Sequence, residues 1–424
     1  MTYKELPVEQ RHALLNQLRG DYIACQTRGL KLDMSRGKPC KEQLDISMDL
    51  LNAGMIANNA CDSTGFDTRN YGVPDGIPEC RALFAELLEI SAENVLVFGN
   101  SSLNIMYDLI SQYWIHGTGA GTKPWSLKRA VKVLCPVPGY DRHFAILEHF
   151  GIEMVPVPTN SEGPDLHVLA ELVADPAVKG MFCVPKYSNP TGITFSDETV
   201  CAIAALTPAA TDFRVIWDNA YCVHDVREGG EKLLNIFAEA AKHGHEEYFI
   251  EVTSTSKITF PGAGVSVLAA SKANVAAIKA RLAVQTIGHD KLNQLRHVRY
   301  FKNAAGILAH MQKHRAILEP KFDAVLASLE RNLGGLGIAE WTNPRGGYFI
   351  SLDVPERCAK RVGELCKEAG VVLTPSGATY PKGIDPKDRN IRIAPTLPPI
   401  HELETAAELL CLCVKIAALE RLEG

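Results

Sequence analysis

Apolar positions near the start of the chain recur at helical spacing. Leu14, Leu15, Leu18 and Tyr22 fall at i, i+1, i+4 and i+8, which predicts one helix within residues 7–29. A polar, glycine-containing stretch from Asp33 to Pro39 follows, and then a short helix is expected around Leu44–Ala57. From about residue 60 the texture alternates. Apolar runs at Val95–Phe98, Val131–Cys135, Met154–Val157, Gly180–Val184, Arg214–Trp217 and Tyr248–Val252 are separated by helix-like segments. That alternation predicts a mostly parallel sheet with helices on both faces. Val265–Ala270 reads as a seventh strand, antiparallel in the same sheet.

Residues 272–332 read as helix nearly throughout. Beyond Gly334 and Gly335 come a strand at Tyr348–Leu352, a helix at Cys358–Glu368, two short strands and a closing helix from His401 to Arg421. This last third has an α+β texture, and no Pro/Ser-rich linker divides the chain. The expected organisation is therefore a large α/β domain, residues 58–305, and a smaller α+β domain built from residues 1–57 and 306–424.

The composition narrows the function classes. The chain has 424 residues, 44 Lys+Arg against 49 Asp+Glu, and a net charge of −5. That balance argues against an extended nucleic-acid surface. Twelve cysteines are scattered without a C-x-x-C pair, and Cys411-x-Cys413 lies in an apolar helical run, so buried thiols are expected rather than a metal site. The charged start offers no apolar signal core, and no run approaches the roughly 18 apolar residues of a membrane span. The expectation is a reduced, soluble, cytoplasmic protein.

Six segments combine chemistry with a position at a strand end, where open α/β sheets place their ligands. Gly99, Asn100, Ser101 and Ser102 precede a helix and could form an anion site or a plain N-cap. The turn Pro136–Asp141 presents Tyr140, whose ring suits a flat heterocycle or simple packing. Asn189-Pro190-Thr191-Gly192 forms a turn after a buried strand. Asp218 closes an apolar strand, where its burial calls for a cation, and Tyr221 follows three residues later. Lys257 stands among the hydroxyls of Thr253–Ser256, ahead of the turn Pro261–Gly264; partial burial there would lower its pKa, as a Schiff-base amine needs. Arg392, flanked by Ile391 and Ile393, calls for a carboxylate partner from the protein or from a ligand.

In order, GNSS, PGYDRH, NPTG, DNAY, STSK and RIA resemble the fold-type I pyridoxal-phosphate aminotransferases of class I/II. The segment Asn70–Gly76 with Arg81, and Asn343–Phe349, are similar to further motifs of that family. The resemblance runs from about Asp33 to Ala394, and its details resemble the MocR-family, aspartate-aminotransferase-like subgroup. Only about thirty residues precede Ser35–Pro39, too few for that subgroup's DNA-binding module, so no nucleic-acid partner is expected.

The resemblance implies a set of roles. Lys257 would form the internal aldimine with pyridoxal 5'-phosphate and move the Cα proton. Asp218 would pair with the pyridine nitrogen, Tyr221 and Asn189 with the ring oxygen, and Tyr140 would stack on the ring. Asn100, Ser101, Ser102 and Ser254 would hold the phosphate, with Tyr71 reaching it across a homodimer interface. Arg392, helped by the Gly37 backbone and Asn189, would bind the substrate α-carboxylate. Many relatives carry a phosphate-gripping Arg after the lysine, where this chain has Pro261-Gly262-Ala263-Gly264. Arg36, Lys38 and Lys291 are candidates for the distal carboxylate of aspartate, and no metal is expected. The implied activity is ping-pong transamination between aspartate and 2-oxoglutarate. A β-lyase or decarboxylase on the same scaffold, or a non-catalytic cofactor-binding regulator, are the alternatives.

Overall fold

The computed structural model describes residues 2–52, 54–119 and 121–423. Thirteen strands occur among them: β1 Leu32–Asp33, β2 Val95–Val97, β3 Lys132–Val137, β4 Glu153–Asn160, β5 Gly163–Pro164, β6 Val178–Cys183 and β7 Arg214–Asp218 in the first half. The remainder are β8 Phe249–Ser254, β9 Ser266–Ala270, β10 Glu340–Trp341, β11 Ile350–Asp353, β12 Val371–Val372 and β13 Asn390–Ile393. Eight of them form one sheet in the order β2-β9-β8-β7-β6-β3-β4-β5.

The seven expected strands are all present. Pairing is parallel from β4 through β3, β6 and β7 to β8, and β9 runs antiparallel to both β8 and β2. Every residue of β2, β6, β7, β8 and β9 is buried, because helices cover both faces. The sequence reading missed β5. Its two residues turn back on β4 at the sheet edge, too short to show a period and ending in a proline that an edge strand tolerates.

The helical region expected at 272–332 is three helices, Lys272–Gln285, Lys291–Phe301 and Ala304–Leu333. The breaks are capped: Asp290 accepts from the Asn293 amide at 3.0 Å, and Asn303 from the Gly306 amide at 2.9 Å. The helix expected at Leu44–Ala57 is likewise three short turns, Lys41–Asp45, Met48–Leu51 and Gly54–Ala57, with Ala53 outside the described residues.

The N-terminal helix, Val8–Gln26, buries Leu15, Leu18 and Tyr22 beside the closing helix Ile400–Glu423. Tyr22 donates to the Leu365 carbonyl at 2.8 Å, and β1 pairs with β12 in parallel. One apolar cluster therefore joins residues from both ends of the chain, from Tyr3 and Met34 to Phe322 and Leu419. A three-stranded antiparallel sheet, β10-β11-β13, carries Arg392 toward the ends of β6 and β7.

Candidate active site

Asp218 is the last residue of β7, and Lys257 ends the helical turn that follows β8. Parallel pairing of the two strands delivers both side chains to one cavity of about 570 Å³. Lys257 Nζ lies 4.7 Å from the centre of the Tyr221 ring and 5.9 Å from that of Tyr348. Burial pushes its pKa below the usual lysine value, and the charge of Asp218 pulls the other way. The amine is thus shifted toward its uncharged, nucleophilic form.

Asp218 is only 2% exposed. Its Oδ2 meets His143 Nε2 at 2.9 Å, while Oδ1 is buried with no hydrogen-bond partner. A buried carboxylate oxygen without a donor is costly, and Asp218 is among the residues that border the cavity. His143, itself buried, packs edge-on against Tyr140 at 5.0 Å and tilted against Phe182 at 4.9 Å. It lies within the PGYDRH segment, yet sequence reasoning gave it no role. The available signal was its spacing: three residues beyond Tyr140, at the start of a helix, it faces the same way.

The hydroxyl-rich turns form a second cluster next to the lysine. Ser101 precedes the helix Ser102–His116 and makes no side-chain cap bond to it. Ser254 Oγ lies 3.1 Å from Ser256 Oγ, and Ser256 Oγ donates to the Asn100 carbonyl at 2.8 Å. Asn100 spends its amide on Pro261, donating to that carbonyl at 2.9 Å. These bonds bring the Gly99–Ser102 turn, Ser254 and the Pro261–Gly264 turn together at a helix N-terminus, an arrangement suited to an anion.

Where many relatives carry the phosphate-gripping arginine, Gly264 is closely packed. A Cβ on Gly264 would sit 2.9 Å from Thr255 Oγ1 and 3.1 Å from the Phe260 carbonyl. Asn293 reaches in from the helix Lys291–Phe301 and donates to the Ala263 and Gly264 carbonyls at 3.0 and 2.8 Å.

Arg392 stands on β13 with 8% exposure. Its Nη1 donates to Asp141 Oδ1 at 2.8 Å and to Asn189 Oδ1 at 3.2 Å, and its Nε to Thr374 Oγ1 at 3.3 Å. The guanidinium lies 4.9 Å above the Phe349 ring. Sequence alone left open whose carboxylate Arg392 would meet; Asp141 supplies one from within the chain. Arg36, Gly37, Lys38, Tyr140 and Asn189 line the same cavity, and so do Asp141 and Arg142, which the sequence reading had not assigned.

Two expected residues are placed elsewhere. Tyr71 is 76% exposed and Lys291 is 5% exposed, donating to the His289 carbonyl at 3.4 Å; neither borders the cavity. Their segments touch each other: a Cβ on Gly288 would fall 2.3 Å from the Gly72 carbonyl.

The family model for aspartate amino-transferase matches residues 6–424. The chain belongs to the aspartate aminotransferase family. An aspartate aminotransferase of Corynebacterium glutamicum is 48% identical over 93% of this chain and 91% of its own length. The crystal structure of an aspartate transaminase from the same species superposes with a TM-score of 0.97 at 44% identity, covering 99% of both chains. The alpha-aminoadipate aminotransferase of Thermus thermophilus, complexed with N-(5'-phosphopyridoxyl)-L-leucine, shares the fold at a TM-score of 0.73 and 20% identity, over 94% of this chain and 95% of that one.

This member of the family is a pyridoxal-phosphate-dependent transaminase acting on amino acids and 2-oxo acids. The residues present fit that cofactor. The unpartnered Asp218 oxygen meets the need of a protonated pyridine nitrogen, the buried Lys257 offers the amine, and the serine turns offer an anion site. Among the described residues no helix is long and apolar enough to cross a membrane.

Proposed function

We propose that the protein transfers the amino group of aspartate to 2-oxoglutarate in two half-reactions at the Lys257 cavity. The observation that carries this reading is the convergence of Lys257, Asp218, Tyr221 and Arg392 on one cavity whose lining adds three further cations, Arg36, Lys38 and Arg142. A C4 or C5 dicarboxylate needs such a second positive site. Likeness to the Corynebacterium glutamicum aspartate aminotransferase supports the same donor.

Bound pyridoxal phosphate supplies an electron sink for the pair left when Cα loses its proton. The chain does the rest. Asp218, oriented by His143, would hold a proton at the pyridine nitrogen. Tyr221, with Asn189 beside it, would donate to the ring oxygen, and Tyr140 would pack on the ring. Ser101, Ser102 and Ser254 would hold the phosphate, with Asn100 contributing through its backbone because its side-chain amide is engaged by Pro261. Lys257 Nζ takes the Cα proton and returns it, a general acid–base role that contributes about 10²- to 10⁴-fold in such sites. Arg392 forks onto the α-carboxylate with the Gly37 backbone beside it.

We place this chemistry in a cytoplasmic homodimer. Twelve free cysteines suit a reducing compartment. The apposed Tyr71 and Lys291 segments suit a face that reaches the partner's cavity. The test is the visible spectrum of the purified holoenzyme: aspartate should bleach the cofactor band and 2-oxoglutarate should restore it. A band indifferent to aspartate but bleached by another amino acid would overturn the assigned donor.

A further inference from the structure

Arg392 reaches its substrate already engaged. Of its hydrogen-bond partners, Asn189 and Thr374 are 3% and 9% exposed and are held in place by packing. Asp141 differs: its side chain is 33% exposed, and it is the first residue of the helix Asp141–His149. A carboxylate that forks onto a guanidinium uses two neighbouring N–H groups. On the open edge of Arg392 one of those is Nη1, which Asp141 holds at 2.8 Å. A substrate carboxylate arriving there meets a second carboxylate on the same nitrogen, inside a cavity walled partly by Phe349 and Tyr221, where like charges repel more strongly than in water.

We infer that Asp141 sets the affinity of the site: it is an internal carboxylate that occupies Arg392 and that the substrate α-carboxylate must displace. This inference rests on the reading of Arg392 as the α-carboxylate site. Asp141 is the member of the ring able to yield. The helix N-terminus favours its charge wherever it turns, and Arg142, Arg36 and Lys38 border the same cavity and can receive it. While the cavity is free of substrate, the pair keeps a nearly buried guanidinium compensated. Displacement costs every carboxylate that enters at Arg392 the same amount, so the pair sets how tightly substrate is held rather than which substrate is chosen.

The test uses the holoenzyme and succinate, a dicarboxylate with no amino group to react, titrated by calorimetry. Asp141→Asn keeps an acceptor for Nη1 and removes the charge. Succinate should bind it about tenfold more tightly, and KM for aspartate and 2-oxoglutarate should fall together. Asp141→Glu, which keeps the charge, should not share that gain in succinate affinity. A residue with a merely structural role would weaken binding when replaced, so unchanged or weaker succinate binding by Asp141→Asn overturns the inference. Should that variant lose its cofactor band, Asp141→Ser carries the same comparison. Arg392→Gln separates the two readings. If it retains full succinate affinity, the α-carboxylate assignment fails; if it loses affinity while Asp141→Asn gains none, only the inference about Asp141 fails.

Discussion

Glu251 lies on β8, paired with Trp217 of β7, one residue before the register position of Asp218. It is 6% exposed, and burial pushes its carboxyl up to about 7, against the Asn219 amide that donates to it at 2.7 Å. Asn219 Oδ1 is at the same time buried without a partner. A protonated Glu251 and a turned Asn219 amide resolve both facts, because the acid then donates to the amide oxygen. The folded pKa lies above the unfolded one, so the folded chain binds the extra proton. The associated stability is complete below about pH 4.5 and is lost as pH rises through 7. The whole effect amounts to about 3 kcal/mol, taken as about 1.4 kcal/mol per pKa unit. Glu251→Gln should therefore gain on the parent in Tm as pH is raised from 5 to 8. Parallel Tm curves for the two proteins across that range would refute the buried-acid account.

Between elements, the approach of the Ser35–Pro39 segment to the start of β11 decides how Arg392 is supported. Gly37 has no room for a side chain: a Cβ would fall 2.4 Å from Phe349 Cζ and 2.7 Å from its Cε1. Phe349 is 5% exposed and its ring lies beneath the Arg392 guanidinium, so it cannot give way without moving that support. Gly37→Ala should raise KM for both substrates about tenfold with a smaller effect on kcat, and cost about 1–3 kcal/mol of stability as an overpacked site does. An unchanged KM would show that the segment, not the ring, moves.

The same scale explains what the sequence disclosed. The runs Gly180–Val184 and Val215–Trp217 are apolar throughout, and Asp218 closes the second, so the sheet and the candidate site at its end were legible. The partners were not. His143 meets Asp218 across 75 positions and Asp141 meets Arg392 across 251, contacts set by how one helix seats against two different sheets. No local spacing encodes them. The packing of Gly264 against Thr255 is likewise a contact between positions that no local pattern connects.

For the whole molecule, the location of Tyr71 and Lys291 away from the cavity is the fact to be explained. Tyr71, Val284 and Ile287 are 76%, 91% and 60% exposed, and the Gly72 and Gly288 backbones abut. Exposed apolar side chains gathered on one face mark an interaction surface. In the proposed homodimer this face meets the partner, burying Ile287 and carrying Tyr71 to the other subunit's phosphate. The two side chains should then fail differently. Ile287→Asp introduces a charge that must be desolvated, so mass measured by light scattering should fall toward a monomer on dilution, and specific activity should fall with it. Tyr71→Phe removes only a hydroxyl. It should leave the mass unchanged while the cofactor is lost about tenfold more readily on dialysis, the cost of one hydrogen bond to a charged group. A chain that stays monomeric and fully active throughout would remove the shared site, and the phosphate would then have to be held by residues of one subunit alone.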